Sequence, residues 1–379
     1  MRTRSSRSNS RVKRSFISIV LALASATTAA AADEPDWVLA LPGWKYEFPR
    51  DHHAHPDFKT EWWYLTGNLA DADGNPFGFQ LTFFRQGIRR AEGAATRFAV
   101  DDIKLAHFAI TDIGGRKFRF AQKVSRGAFG EAGFGDGERI AWIDDWELAQ
   151  TGPQAFVIRA EADDFALELS LVSRKPPVFH GENGVSQKAA GEGRASHYYS
   201  FTRLDAQGRI TLAGRDIAVA GLAWFDQEWA TNQLTEGQTG WDWLSLQFED
   251  GTELMLFQIR LREGGRDPFC HGTFVEADGQ TIPIKNDDFE FVPGRTWRSP
   301  ESGGEYPVAW TMKIPRLGLE LDVEAALDGQ ELVLKPISYW EGSVVAEGAR
   351  GGRPMRGRGY LEMTGYAGGL VGLQAPETR

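Results

Sequence analysis

The stretch Phe77–Arg85 reads FGFQLTFFR. Phe77, Phe79, Leu81 and Phe83 fall on one side of an extended chain, and Gly78, Gln80 and Thr82 on the other. Apolar residues at every second position mark a half-buried β-strand, whereas a helix would space them three or four apart. Similar runs flank it: EWWYLTGNL (Glu61–Leu69), KLAHFAITD (Lys104–Asp112), KFRFAQKV (Lys117–Val124) and FALELSLVS (Phe165–Ser173). Turn dipeptides such as Asp73-Gly74 and Gly114-Gly115 separate them. Short alternating runs between glycine turns predict an antiparallel, all-β chain, and long meanders of that kind close or sandwich to hide their edges.

The pattern then repeats. EWWYLTGNLADADG followed by a strand ending LTFFR is matched by GWDWLSLQFEDG (Gly240–Gly251) followed by a strand ending LMLFQIR. GEGRASHYYS (Gly191–Ser200) is matched further on by GRGYLEMTGY (Gly357–Tyr366). Two β-barrels packed together are expected, at 44–213 and 239–368. Residues 214–238 form a linker strand between them, 33–43 a lead-in and 369–379 a tail. Pro176-Pro177 ends the ladder before them, so Lys175–Ala190 is expected to cross the mouth of the first barrel as a loop.

Residues 1–32 are read separately. Arg2, Arg4, Arg7, Arg11, Lys13 and Arg14 precede FISIVLALASATTAAAA, and acidic DEPD follows. Charge, a short apolar core and small residues, in that order, predict a secretory signal peptide and a periplasmic or secreted protein. The apolar core is too short to span a bilayer, so no transmembrane anchor is expected in the mature chain. Removing this leader takes the net charge from −10 to −16. That field repels nucleic acid and anionic membrane. Cys270 is the only cysteine, which excludes an intrachain disulfide and a thiolate metal cluster. The 13 Trp, 24 Phe and 8 Tyr supply the core instead.

Candidate chemistry centres on AWFDQEW (Ala223–Trp229). In an extended chain Trp224, Asp226 and Glu228 share one face and Phe225, Gln227 and Trp229 the other. Two carboxylates two residues apart, beside indoles, raise one another's pKa and favour a protonated acid near neutrality. Such an acid protonates an alkene or a leaving group. Glu61 heads a stripe with Trp63, Leu65 and Leu69 and is the candidate partner base, with His197 of SHYYS as the other. Trp63, Tyr64, His107, Tyr198, Trp224 and Trp229 are candidates for shaping a substrate pocket. The face of Trp62, Tyr64, Thr66 and Asn68 points to either lumen or solvent. His53, His55 and Asp57 have the spacing of a two-histidine, one-carboxylate set, yet lack a further ligand, and no metal or other cofactor is expected. A hydrogen-bonded turn is the alternative for them. Neither a Gly-x-Ser-x-Gly elbow nor a phosphate-binding glycine loop occurs.

FPRDHHAHPDFKTEWWYLTGNL, KPPVFHG, ASHYYS, AWFDQEWATNQL, SYWEGSV and GRGYLEMTGY together resemble the AttH and carotenoid 1,2-hydratase-like superfamily, in its branch of predicted secreted hydrolases. The resemblance runs from about Trp44 to Tyr366. It implies two lipocalin-like (calycin-type) antiparallel barrels and an apolar, lipid- or isoprenoid-like substrate. The carotenoid hydratases add water to an isolated double bond by protonation. Their pattern His-Asp-His-Asn-Trp falls here on Phe225, Asp226, Gln227, Glu228 and Trp229, so Asp226 and Trp229 match and both histidines are missing. Their Tyr-x-Asp pair on the following strand has no aspartate here, in ELMLFQIR. The expectation is an exported hydrolase or hydro-lyase with Asp226 or Glu228 as acid, facing the Glu61–Trp63 strand across a pocket. A non-catalytic carrier of a hydrophobic ligand is the alternative. The sequence leaves the oligomeric state unknown.

Overall fold

A computed structural model describes residues 37–90, 100–232, 234–335 and 337–368. The expected leader, the first residues of the lead-in and the expected tail lie outside them. The described chain is nearly all β, with four short 3-10 turns. None of its helices is long and apolar enough to cross a membrane.

The first sheet holds β1 (Thr60–Ala70), β2 (Pro76–Gly87), β3 (Asp102–Asp112), β4 (Lys117–Ser125), β5 (Ala132–Phe134), β6 (Arg139–Ile143), β7 (Trp146–Gly152), β8 (Ala155–Glu161), β9 (Phe165–Ser173), β10 (Val178–Phe179), β11 (Val185–Gln187), β12 (Ala195–Leu212) and β13 (Arg215–Ala230). Their order is β4-β3-β2-β1-β13-β12-β9-β8-β7-β6-β5, with β10 and β11 on β12. The sheet curls into a nearly closed barrel: Phe108 of β3 meets Phe165 of β9 across the lumen, with ring centroids 4.8 Å apart.

The second sheet comprises β14 (Gln238–Phe248), β15 (Glu253–Leu261), β16 (His271–Val275), β17 (Thr281–Lys285), β18 (Glu290–Pro293), β21 (Ala309–Ile314), β22 (Leu319–Ala325), β23 (Glu331–Leu332), β24 (Tyr339–Arg350) and β25 (Arg353–Met363). A separate ribbon is formed by β19 (Thr296–Arg298) and β20 (Glu305–Pro307). The second sheet is a half-barrel in the order β17-β16-β15-β14-β25-β24-β22-β21-β18.

The opening strands of the two halves are equivalent: β1 lies between β2 and β13, and β14 between β15 and β25. The closing strands are matched differently from the sequence pattern. By position in the sheet, β25 corresponds to β13 and β24 to β12, whereas Gly/Tyr similarity had paired the start of β12 with β25. The segment expected to link the barrels is β13, an inner strand hydrogen-bonded to β1 and β12.

Burial on both faces explains why β1 and the second half of β13, residues 223–230, lack exposed positions, whereas Arg215, Asp216, Ala218 and Ala220 in its first half are exposed. Trp63, Leu65, Phe225 and Trp229 pack in the first core, while Tyr64, Tyr198 and Trp224 pack in the second. The face of β1 left undecided by the sequence is therefore turned toward the second sheet. There Asn68 Nδ2 donates to Gly359 O at 3.1 Å. From the other side, Gln247 Nε2 reaches Thr202 O and Ala223 O at 2.8 and 2.9 Å.

Lys175–Ala190, expected as a loop, carries the short strands β10 and β11. Its two short strands pair with the first half of β12. A register shift between Phe201 and Leu204 frees that half from β9. The segment is a strap onto the second sheet. Lys175 Nζ donates to Gly251 O, Glu276 O and both oxygens of Glu253 at 2.7–3.0 Å. Glu253 is fully buried and also meets Arg203. Replacing Lys175 by Met leaves that carboxylate with one cation, and should cost about 3 kcal/mol in urea unfolding; a change under about 0.5 kcal/mol would show the strap's anchor to be immaterial.

Candidate active site

A cavity of about 310 Å³ lies between the two sheets, outside the first barrel's core. Its walls come from β1, β2, β3, β12 and β13 of the first sheet and from β14, β15, β24 and β25 of the second. Trp62, Trp241, Trp243, Phe257 and Ile259 make it apolar. Five acids are among the lining residues, Glu61, Asp226, Glu228, Glu341 and Glu362, together with Tyr64, Tyr198, Tyr339, His107, Arg85 and Lys188.

The alternation of β13 puts Asp226 and Glu228 on this wall. Trp224 Nε1 donates to Asp226 Oδ1 at 2.6 Å, Ser200 Oγ donates to the same oxygen, and Tyr198 Oη donates to Oδ2 at 3.0 Å. Trp243 Nε1, which can only donate, reaches Tyr198 Oη at 3.0 Å and directs the phenol's hydrogen to the acid. Burial raises the Asp226 pKa to about 7, against these three hydrogen bonds and with help from Glu228. Glu362, which accepts from Trp241 Nε1 at 3.2 Å, is likewise raised by burial to about 7. Burial, then Glu362, holds Glu341 well above the carboxylate range. At Glu228, Lys188 Nζ forms an ion pair at 2.9 Å, and Ser196 Oγ donates to the carboxylate. Lys188 comes from the strap and lies 4.0 Å from the Phe257 ring centroid.

Several expected site residues lie elsewhere. β1 and β13 are hydrogen-bonded neighbours, with Trp63 opposite Gln227 and Tyr64 opposite Asp226, so they do not face one another across a pocket. Glu61 borders the cavity, but its carboxylate is on the other face of β1. It accepts from His55 N at 2.7 Å and Gln227 Nε2 at 3.1 Å, and meets His55 Nδ1 at 2.6 Å. His55 stacks on Trp229 at 3.7 Å. His197 also faces the first core, between Trp44 and Trp229, where burial lowers its pKa to about 4. Trp63 and Trp229 are core residues of the first barrel. Asp226, Glu228, Tyr64, Tyr198 and His107 are brought together at the cavity, with Trp224 bonded behind Asp226.

His53, His55 and Asp57 diverge: His53 Nε2 is 3.0 Å from Gly137 O, and Asp57 pairs with Arg90. Among the described residues no group of three His, Cys, Asp or Glu side chains could hold a metal ion. Sequence reasoning missed Glu341, Glu362, Tyr339 and Lys188. The first two carried a signal, each a lone acid in an apolar and aromatic run, YWEGSV and YLEMTGY.

Behind Asp226, Ser200 Oγ stands 2.7 Å from His180 Nε2, and His180 Nδ1 stands 2.9 Å from Thr273 Oγ1. Serine, histidine and aspartate thus meet, but in the wrong order for a nucleophile. The acid bonds the serine and does not orient the histidine, and neither Ser200 nor His180 lines the cavity.

The model of the AttH-like family matches residues 39–366. The chain belongs to the AttH-like family. A crystal structure of a Nitrosomonas europaea protein assigned as an AttH is 38% identical, covers 87% of this chain and 99% of its own, and superposes with a TM-score of 0.78. Kievitone hydratase from Nectria haematococca shares the fold at 14% identity and a TM-score of 0.68, with 88% of this chain and 97% of its own covered. Dehydratase asqC from Emericella nidulans is 20% identical over 239 residues, 59% of this chain. That match takes in 64% of the dehydratase's length.

The raised acids make the stability of this AttH-like protein fall with rising pH in a defined window. Asp226 keeps its proton up to about pH 7 when folded, whereas an unfolded aspartate ionises near pH 4. Folding therefore holds an extra proton between those values, and stability falls as pH rises, at up to about 1.4 kcal/mol per unit for each such acid. Asp226→Asn should remove part of the slope: measured by urea unfolding, its stability relative to wild type should rise from pH 4 to pH 7 and then level off. A constant difference across that range would mean that Asp226 ionises normally. Ser200→Ala removes a donor to the carboxylate and should move the Asp226 titration, read by carboxyl carbon NMR, above its wild-type midpoint.

Proposed function

We propose that this protein is a hydro-lyase, adding water to or removing it from a carbon–carbon double bond in an apolar small molecule. The observation that carries the reading is Asp226: a buried acid whose pKa is raised to about 7, on the wall of a cavity lined with aromatic rings. In the hydration direction, Asp226 transfers its proton to one alkene carbon and positive charge develops on the other. The faces of Trp62, Trp241 and Trp243 suit that charge. Water adds to the cationic carbon and gives up a proton to Glu228, which Lys188 and Ser196 hold in place. One water is consumed, and the proton re-equilibrates from Glu228 to its neighbour Asp226. Dehydration is the reverse. The base role moves from Glu61 and His197 to Glu228, because only Glu228 shares a face with the acid.

Relatives named as a dehydratase and a hydratase support this reaction class, and a lipid- or isoprenoid-like body fits the aromatic lining. The N-terminal charge-then-apolar pattern supports action in the periplasm or outside the cell. A cavity lined with aromatic rings also suits a carrier, and turnover separates the two readings. Protein purified from an unrelated host is extracted, retained compounds are identified by mass spectrometry, and each is incubated with enzyme in ¹⁸O-water. Wild type should place ¹⁸O in a hydrated product, or dehydrate an alcohol, while Asp226→Asn should be slower by about 10²- to 10⁴-fold. Tight retention without turnover by either protein would favour carriage.

A further inference from the structure

His180 is fully buried, does not line the cavity and has no part in the proton transfer described above. It stands where three parts of the chain meet. Its backbone N donates to Tyr198 O at 3.1 Å, and its ring centroid lies 4.3 Å from that of Tyr198. Its two ring nitrogens reach Ser200 of β12 and Thr273 of β16. A side chain that spans the strap and both sheets, one hydroxyl away from Asp226, is placed to direct the acid.

The direction follows from the hydrogens available. Ser200 Oγ has one, and it is donated to Asp226 Oδ1. The serine oxygen therefore accepts from His180 Nε2 at 2.7 Å. A neutral imidazole carries one proton, so Nδ1 is bare and accepts from Thr273 Oγ1 at 2.9 Å. Burial, then His271 and Lys188, hold the His180 pKa well below the usual histidine value, in keeping with a neutral ring. The hydrogens thus all point one way, from Thr273 to His180 to Ser200 to Asp226.

A carboxyl group has two lone pairs on each oxygen. Both on Oδ1 are taken, by Ser200 Oγ and by Trp224 Nε1. Among the described hydrogen bonds, Oδ2 accepts only from Tyr198 Oη. Neither Ser200 nor Trp224 lines the cavity, whereas Tyr198 does. We propose that His180 is a positioning residue for the acid: by donating to Ser200 it fixes the serine's hydrogen on Oδ1, so that the proton of Asp226 resides on Oδ2, the oxygen held by a residue of the cavity wall. Thr273 sets the tautomer. Once the proton has left, the carboxylate can only accept, and the same chain stabilises it without reorienting. Transfer to a substrate rests on the hydro-lyase reading; the place of the proton on the carboxyl does not.

The test reads the His180 ring nitrogens by NMR in the whole protein, well below and well above the Asp226 midpoint of about 7. Wild type should show a protonated Nε2 and a bare Nδ1 in both states. A proton on Nδ1 in either state overturns the proposal; its appearance only when Asp226 is protonated would place the acid's proton on Oδ1 and turn the serine's hydrogen toward His180. The Asp226 midpoint, followed by carboxyl carbon NMR, supplies a second readout. His180→Gln keeps an N–H for Ser200 and a carbonyl for Thr273, and should leave the midpoint within about 0.3 unit of wild type. His180→Phe keeps a ring of similar shape without either group, and should raise the midpoint by about 0.5 unit or more, because the serine donor loses its polarising partner. The other titratable and charged groups around Asp226, namely Glu228, Lys188, Glu341, Glu362, Tyr64 and Tyr198, are common to all three proteins. A side chain needed only for packing would give the reverse order, since Phe is nearer to His in shape than Gln is. An unmoved midpoint in His180→Phe, or a larger shift in His180→Gln, therefore overturns the proposal as well. The wild-type tautomer decides the matter if a variant fails to fold. One tautomer throughout, beside turnover that Asp226→Asn leaves intact, would keep the chain of donors and remove the acid role; turnover that depends on Asp226, beside a tautomer that switches, would do the opposite.

Discussion

The hydrogen-bonded pairing of β1 with the second half of β13, and of that half with the buried first half of β12, is the constraint on which the site depends. Tyr64 stands opposite Asp226 and Ser200 opposite Asp226 on the other side, so three strands converge on one carboxylate. A period of two then sorts the polar residues. Glu61, Gln227 and His197 turn to the first barrel, and Asp226, Glu228 and Tyr198 to the cavity. A slip of one residue in either pairing would exchange the two sets.

The two faces treat their charges in different ways. On the barrel side, the Glu61 carboxylate is met by His55, Gln227 and Arg85 and has no freedom to act on a ligand. On the cavity side Asp226, Glu228, Glu341 and Glu362 stand near one another with Lys188, and burial keeps at least Asp226, Glu341 and Glu362 inclined to hold protons. Desolvation outweighs even three hydrogen bonds at Asp226, because the water it replaces would have solvated both oxygens freely. A neutral acid in such a place is a proton donor.

The strap makes this chemistry possible at the join of two sheets. It fills the side of β12 that β9 abandons at the bulge, delivers Lys188 to Glu228, and brings His180 behind Ser200. Its anchor, Lys175 on Glu253, is a buried ion pair between the halves of the duplication. Removing the strap would thus disturb the acid pair as well as the packing.

The all-β class, the alternation in FGFQLTFFR and the opposite faces of AWFDQEW were legible in the sequence, because side-chain direction along a strand depends only on parity. The repeated Trp-rich opening strands were legible for the same reason. The closing strands were matched one strand out, since Gly/Tyr alternation carries no information about which neighbour a strand chooses. Glu61 and His197 looked like partners of Asp226 from their neighbours alone; strand pairing set them on the far face. Glu341 and Glu362 lie more than a hundred residues from Asp226, and only the packing of one sheet on the other brings them to the same cavity. Local alternation was thus determined by the sequence itself. The tertiary structure decided which acids lose their water, because desolvation belongs to the space between two sheets and to neither strand alone.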